Sequence, residues 1–118
     1  MAGGISIHVV DVSRGVVARG MRIELFAGAA PQRKPITAGA VSANGLLEDP
    51  ALAQRFEPGQ YEAQFHVAAF YRSAGVVLPA QPFLDVVSFR FGVADPEQHY
   101  HLPFKCTPWG YSCFRGGA

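Results

Sequence analysis

The sequence predicts an all-β fold, a sandwich of two sheets with one short helix, on three observations. Apolar and polar residues alternate over at least five short runs, the period of a strand whose side chains point to opposite faces in turn. Turn residues, chiefly Gly, Pro, Asn and Asp, recur about every ten positions, the spacing of a sandwich. A single segment has helical composition. The 118 residues are room for one core, so one domain over residues 1–118 is expected.

In the first run Ile5, Ile7 and Val9 point one way and Ser6, His8 and Val10 the other, with Gly15 and Gly20 flanking the turn to the next strand. His8 therefore lies on the face turned away from the core. Met21, Ile23 and Leu25 against Arg22 and Glu24 make a second strand, and the stretch through Gly28, Pro31 and Pro35 is a loop or a ragged edge strand. In VSANGLLEDP, Asn44 and Gly45 suit the positive φ of a tight turn, and Leu46 falls just beyond it. Tyr61, Ala63, Phe65 and Val67 alternate with Gln60, Glu62, Gln64 and His66 in a half-buried strand entered through Pro58 and Gly59. AAFYRSAG follows as the helix, with Gly75 placed to cap its end. Val87, Phe89 and Phe91 against Ser88 and Arg90 give another strand, closed by Gly92, Asp95 and Pro96. A last hairpin turns at Pro108, Trp109 and Gly110.

A net charge of +1, with both signs scattered, supplies no field to steer nucleic acid or an anionic membrane to the protein. The expected partner is a small molecule or another copy of the chain. No apolar run approaches the ~20 residues that span a bilayer. MAGGISIH lacks the basic end and long apolar region of a secretory signal, so a cytoplasmic location is expected. Cys106 and Cys113 are too few and too close for a disulfide framework or a zinc site. Both are expected to be reduced, packed thiols, and neither a metal nor a cofactor is expected. His66 is expected to be solvated on the polar face of its strand, and Trp109 to pack at the hairpin turn.

On the first strand of the hairpin, Tyr100, Leu102, Phe104 and Cys106 share the core face, and His99, His101, Pro103 and Lys105 look away from it. Pairing odd positions of this strand with even positions of the next adds Ser112, Phe114 and Gly116 to the face of His101 and Lys105. A slip of one residue brings Tyr111, Cys113 and Arg115 there instead. A lone exposed histidine is ordinary solvated surface. Two histidines, a lysine and a serine on adjacent strands compete with that reading, and His8 joins them if its strand lies beside the hairpin in the same sheet.

These residues resemble the transthyretin-related proteins, whose enzymatic branch comprises the 5-hydroxyisourate hydrolases of purine catabolism and urate degradation. The similarity runs from ISIHVVDVSRG through QPFLDVVSFRFGVADPEQHYHLP to TPWGYSCFRGG, with HYHLP followed by TPWGYS as its most specific part. The resemblance implies a transthyretin-like (prealbumin-like) sandwich that assembles as a homotetramer, with active sites in a channel between subunits. It implies catalytic histidines at His8, His99 and His101. Where the hydrolases carry an arginine directly after the turn glycine, this chain has Leu46. Their closing Tyr-Arg-Gly-Ser is matched by Phe114, Arg115 and Gly116, then by Gly117 and Ala118 in place of the serine. Lys105 stands where they carry an aliphatic residue. Lys105, Leu46, Ser112, Phe114 and Arg115 are thus the expected substrate-binding positions.

In the hydrolase reading a neutral His101 or His8 takes a proton from water, which attacks a ring carbonyl, because imidazole titrates near working pH. Lys105 then partly supplies the charge lost at Leu46, without the planar two-point grip of arginine. These departures keep two further readings open. One is an enzyme of the same scaffold recruited to another cyclic or carbonyl substrate in specialised metabolism. The other is a non-catalytic carrier of a small ligand, against which the retained histidines speak.

Overall fold

The computed structural model describes residues 3–117, in chain order β1 (Ile5–Asp11), β2 (Val16–Val17), β3 (Arg22–Ala27), β4 (Lys34–Ala40), a 3-10 turn (Pro50–Ala53), β5 (Gly59–His66), α1 (Val67–Ser73), β6 (Val86–Val93), β7 (Tyr100–Thr107) and β8 (Gly110–Cys113). Ala118, matched above to the closing serine, lies outside the described residues, as do Met1 and Ala2 at the start. One sheet has the order β2-β1-β7-β8 and the other β4-β3-β5-β6. This is the all-β, two-sheet sandwich with one short helix that the alternation predicts. No helix among the described residues is long and apolar enough to cross a membrane.

The core lies between the sheets because each strand turns its apolar residues inward. Ile5, Ile7 and Val9 of β1 and Leu102, Phe104 and Cys106 of β7 are buried from one side, Ile23, Leu25, Ala63 and Phe65 from the other. Phe65 and Phe104 stack across the layers with ring centroids 3.8 Å apart and planes 5° from parallel. β1 pairs with β7 in parallel, which sets Ser6 beside His101, His8 beside Pro103 and Val10 beside Lys105. The strand carrying His8 is therefore the hairpin's neighbour in one sheet.

Several expectations need correction. The fifth strand stops at His66 instead of running through Val67, because the Val67 and Ala68 amides donate to the Asp85 carbonyl (3.1 and 3.3 Å) and start α1. Gly75 follows the helix at φ +87°, where its lack of a Cβ removes the strain. Of the two readings left open for the stretch after Gly28, the ragged edge strand holds: it is β4, which pairs with β3 and carries a bulge opposite Leu25 and Phe26. β2, which the sequence did not suggest, folds back on Val10 and Asp11. His66 is not simply solvated: its Nε2 lies 2.7 Å from Glu24 Oε1. The hairpin turns on Pro108 and Trp109 alone, since Gly110 already pairs with Thr107, and the Trp109 ring does not pack but stands 69% exposed. Burial pushes the Cys106 thiol up to about 11 and the Cys113 thiol up to about 12, so both free thiols stay protonated.

A buried carboxylate ties the helix to the sheet that carries the histidines. Asp11, at the end of β1, is fully buried and accepts hydrogen bonds from Tyr71 Oη (2.6 Å), Ser13 Oγ (2.6 Å), Ser13 N (3.1 Å) and Arg14 Nε (2.6 Å). Burial opposes its ionised form, but the bonds from Ser13, Tyr71 and Arg14 outweigh it and hold the carboxyl below its ordinary value of 3.8. Such a group stabilises the fold fully above the ordinary carboxyl range and stops doing so as pH falls through its lowered value. Tyr71→Phe is expected to cost about 1–3 kcal/mol in urea unfolding at neutral pH. The acid loss of stability should also be smaller and end at higher pH in that variant, since the folded-state carboxyl has one bond fewer holding it down.

Candidate functional site

The outer face of the β2-β1-β7-β8 sheet presents Ser6, His8 and Val10 from β1, then His101, Pro103 and Lys105 from β7. Lys105 pairs with Ser112 and Phe104 with Cys113, which selects the odd-with-even register over its one-residue slip. Beyond Cys113 the register continues, because Gly116 N donates to the His101 carbonyl at 2.7 Å. The ladder is broken between them since Pro103, opposite Phe114, has no N–H. Ser112, Phe114 and Gly116 therefore share the face of His101.

Arg115 points the other way. Its guanidinium lies 4.1 Å from the centroid of the Tyr100 ring and donates through Nη2 to Gln98 Oε1 (3.0 Å) and the His99 carbonyl (3.4 Å). It braces the entry to β7 rather than meeting His101. Lys105 Nζ sits 5.9 Å from the centroid of the Phe114 ring, and among the described residues it has no carboxylate partner. Four residues along an extended strand amount to about 13 Å, so Lys105 stands well away from His101 within one subunit.

Ser6 joins two of the histidines. Its Oγ is 2.6 Å from His101 Nδ1 and 2.8 Å from His99 Nε2, while His99 Nδ1 is 3.1 Å from the Gly3 carbonyl. A carbonyl only accepts, so His99 Nδ1 carries the proton, and in a neutral His99 the Nε2 atom accepts from the Ser6 hydroxyl. The Ser6 oxygen then accepts from His101 Nδ1–H, which leaves the lone pair of His101 on Nε2. Protonation of His99 would reverse both bonds and move the His101 proton to Nε2, removing that base. Burial, and then the neighbouring His8 and His99, hold His101 below the ordinary histidine value of 6.5, which keeps it neutral at working pH.

His8 is half-buried beside the tight turn. Val9 N donates to the Gly45 carbonyl (2.8 Å) and Leu47 N to the Ile7 carbonyl (3.2 Å), so Leu46 bridges directly across from His8 and shares its face. Gly45 has φ +80°, and a Cβ there would stand 2.8 Å from His8 Nε2. A Cβ on Gly116 would stand 2.7 Å from His101 Cδ2. Both glycines keep space for an imidazole.

A cleft of about 260 Å³ opens next to this group. Ile5, Leu46, Leu47 and Leu52 supply hydrocarbon walls, Ser6 and His99 polar ones, and Glu48 and Asp49 the carboxylates. Asp49 accepts from Thr37 Oγ1 and from Ala51 N, and the exposed Glu48 accepts from Asn44 Nδ2 at 3.5 Å. Among the described residues no group of three or more His, Cys, Asp or Glu is arranged to hold a metal ion.

The structure thus brings His8, His99, His101 and Leu46 together, sets Ser112, Phe114 and Lys105 further along the same face, and turns Arg115 away. Ser6, Gly45 and Glu48 are the positions to which sequence reasoning gave no role in the site, whereas Gly116, expected on this face, proves to be what leaves space for the His101 ring. Ser6 had one visible signal, its place two residues before His8 on the outer face. Its contact with His101 depends on a parallel register that only the fold supplies.

Residues 5–116 match the model of the HIUase/Transthyretin family. The chain is 42% identical over 115 residues to a 5-hydroxyisourate hydrolase of Ralstonia nicotianae, covering 97% of this chain and 98% of that one. It is 40% identical over 115 residues to a 5-hydroxyisourate hydrolase of Deinococcus radiodurans, covering 96% and 95%. Among solved structures, (S)-allantoin synthase superposes with a TM-score of 0.88 at 36% identity, over 98% of this chain and 44% of that one. The 5-hydroxyisourate hydrolase of Klebsiella pneumoniae superposes at 0.81 and 24% identity, over 98% and 99%, a likeness of fold.

The hydrogen-bond chain has a direct readout in the nitrogen shifts of the imidazoles. Above neutral pH, His101 is expected to show the Nδ1–H tautomer in the native chain and to shift toward Nε2–H, the usual preference of free imidazole side chains, in Ser6→Ala. An unchanged His101 spectrum in Ser6→Ala would mean that Ser6 does not set the tautomer.

Proposed function

The chain belongs to the HIUase/Transthyretin family, and on that premise we propose that it is a hydrolase opening the ring of 5-hydroxyisourate or a closely related cyclic ureide. The observation that carries this reading is the Ser6-linked pair of histidines, which presents an uncharged His101 with its lone pair on Nε2. His101 Nε2 takes a proton from water as the water oxygen bonds to the ring carbonyl carbon. The tetrahedral oxyanion collapses, the ring C–N bond breaks, and an imidazolium returns the proton to the departing nitrogen. His101 itself thus carries the proton from water to nitrogen, His8 on the neighbouring strand is placed to orient the substrate ring by a hydrogen bond, and His99 acts through Ser6 on the orientation of His101. No redox change or cofactor enters this balance.

Lys105 lies two residues along β7 from Pro103, which pairs with His8, and four from His101. On the separation along β7, it serves as an anion binder at the far end of the face, near Ser112 and Phe114. The same reading takes this face as the wall of a channel between subunits of a homotetramer in the cytoplasm. Support comes from Phe114, a large apolar side chain 46% exposed on this face, which suits burial against another copy.

His101→Ala is expected to lower kcat for 5-hydroxyisourate by at least about a hundredfold, read from the decay of ultraviolet absorbance above its spontaneous rate. No acceleration by the native protein would sink the proposal. The acid limb of kcat/KM is expected below pH 6.5, because the working form is the neutral imidazole and its affinity for a proton is reduced. Gly116→Ala should reduce kcat with little change in the unfolding midpoint, since the added methyl displaces the His101 ring and not the core. Light scattering on the eluted protein should report four copies.

A further inference from the structure

We infer that the cleft beside Ser6 and Leu46 holds a hydrocarbon substituent of the substrate, so that the site favours ring-substituted, uncharged cyclic ureides over unsubstituted or carboxylate-bearing ones. The inference rests on the hydrolase reading, because it takes the cleft as part of the same site. Three features carry it.

The first is position. Leu46 bridges to His8, and Ser6 bonds to both His99 and His101, so the two residues that begin the cleft are those that touch the imidazoles. A ring held with its carbonyl over His101 has its substituent over Leu46. The second is shape and chemistry. Leu46, Leu47, Leu52 and Ile5 make the walls, and about 260 Å³ exceeds the ~150 Å³ that takes a benzene ring in an apolar cavity. A branched alkyl or a single aromatic group therefore fits.

The third is charge. No Lys or Arg lines the cleft, while the exposed carboxylate of Glu48 does. Asp49 adds a second negative group whose acceptor capacity is partly used by Thr37 Oγ1 and Ala51 N. Those two bonds, Thr37 first, hold the Asp49 carboxyl below its ordinary value, so it is ionised at neutral pH. A carboxylate on the substrate would meet like charge here with no cation to offset it.

The test uses calorimetric binding of the full-length protein to hydantoin and to its 5-isobutyl, 5-benzyl and 5-carboxymethyl derivatives. The isobutyl and benzyl compounds are expected to bind at least about tenfold more tightly than hydantoin, and the carboxymethyl compound more weakly. Glu48→Gln should restore part of the carboxymethyl binding and leave the isobutyl compound unaffected. Leu46→Arg should invert the order, with the carboxymethyl compound binding best, an effect that mere loosening of the fold would not produce.

Equal binding across the panel in the native protein overturns the assignment of the cleft, even if 5-hydroxyisourate is opened. Absence of His101-dependent opening of 5-hydroxyisourate, with the binding order intact, overturns the hydrolase reading and leaves a hydrocarbon-binding cleft. A binding order unchanged by Leu46→Arg and Glu48→Gln overturns the roles given to those two residues.

Discussion

The parallel pairing of β1 with β7 is the constraint on which the site depends. It joins the first strand to the last but one, with β2 to β6 lying between them in sequence, and its register is held from both faces. Inward, Ile5, Ile7 and Val9 lie beside Tyr100, Leu102 and Phe104, each side chain contributing about 1.5–3 kcal/mol when fully buried. A slip of one residue would turn all of these outward. Tyr100 N donates to the Gly4 carbonyl at 2.9 Å, and the Tyr100 hydroxyl accepts from the Ala94 and Asp95 amides, which fixes where β7 begins. Outward, the same register delivers Ser6 to His101.

A consequence is that, in the proposed reaction, His101 serves as a neutral base. His8, His99 and His101 crowd one another, and for His101 the burial and the neighbouring imidazoles both favour the unprotonated form. The nearest lysine on the face is Lys105, four residues along the strand, and Arg115 faces Tyr100 and Gln98. In the proposed reaction tautomer control replaces charge as the means of activating the base: a backbone carbonyl, an imidazole and a hydroxyl in sequence decide which nitrogen of His101 holds the lone pair. Such an arrangement needs space as much as partners, and two glycines, Gly45 and Gly116, supply it.

The opposite outer face shows what the same alternation does without a site. There Glu62 is buried beneath Arg33, whose Nη1 is 2.9 Å from Oε2, with Arg90 Nε 3.6 Å from Oε1, and His66 pairs with Glu24. Arg33 also lies 4.2 Å from the centroid of the Phe26 ring. Charges on that face neutralise one another. On the face of β1 and β7, Ser6, His99 and His101 bond among themselves without a carboxylate.

The sequence by itself determined the two-sheet architecture, the inward and outward sets on β1, β3, β5, β6 and β7, and the family, while the structure chose between the two hairpin registers it left open. These are local properties: a period of two, a turn residue with positive φ, a short motif. It misread places where a distant group intervened, as when the Asp85 carbonyl stopped β5 at His66 and Glu24 captured that histidine. Only the tertiary structure decided that β1 lies parallel to β7, that Ser6 links His99 to His101, that Leu46 stands beside His8 at the mouth of an apolar cleft, and that Arg115 turns away. Each of those joins residues far apart in the chain, and alternation tells a strand which way its side chains point without telling it which strand will lie alongside.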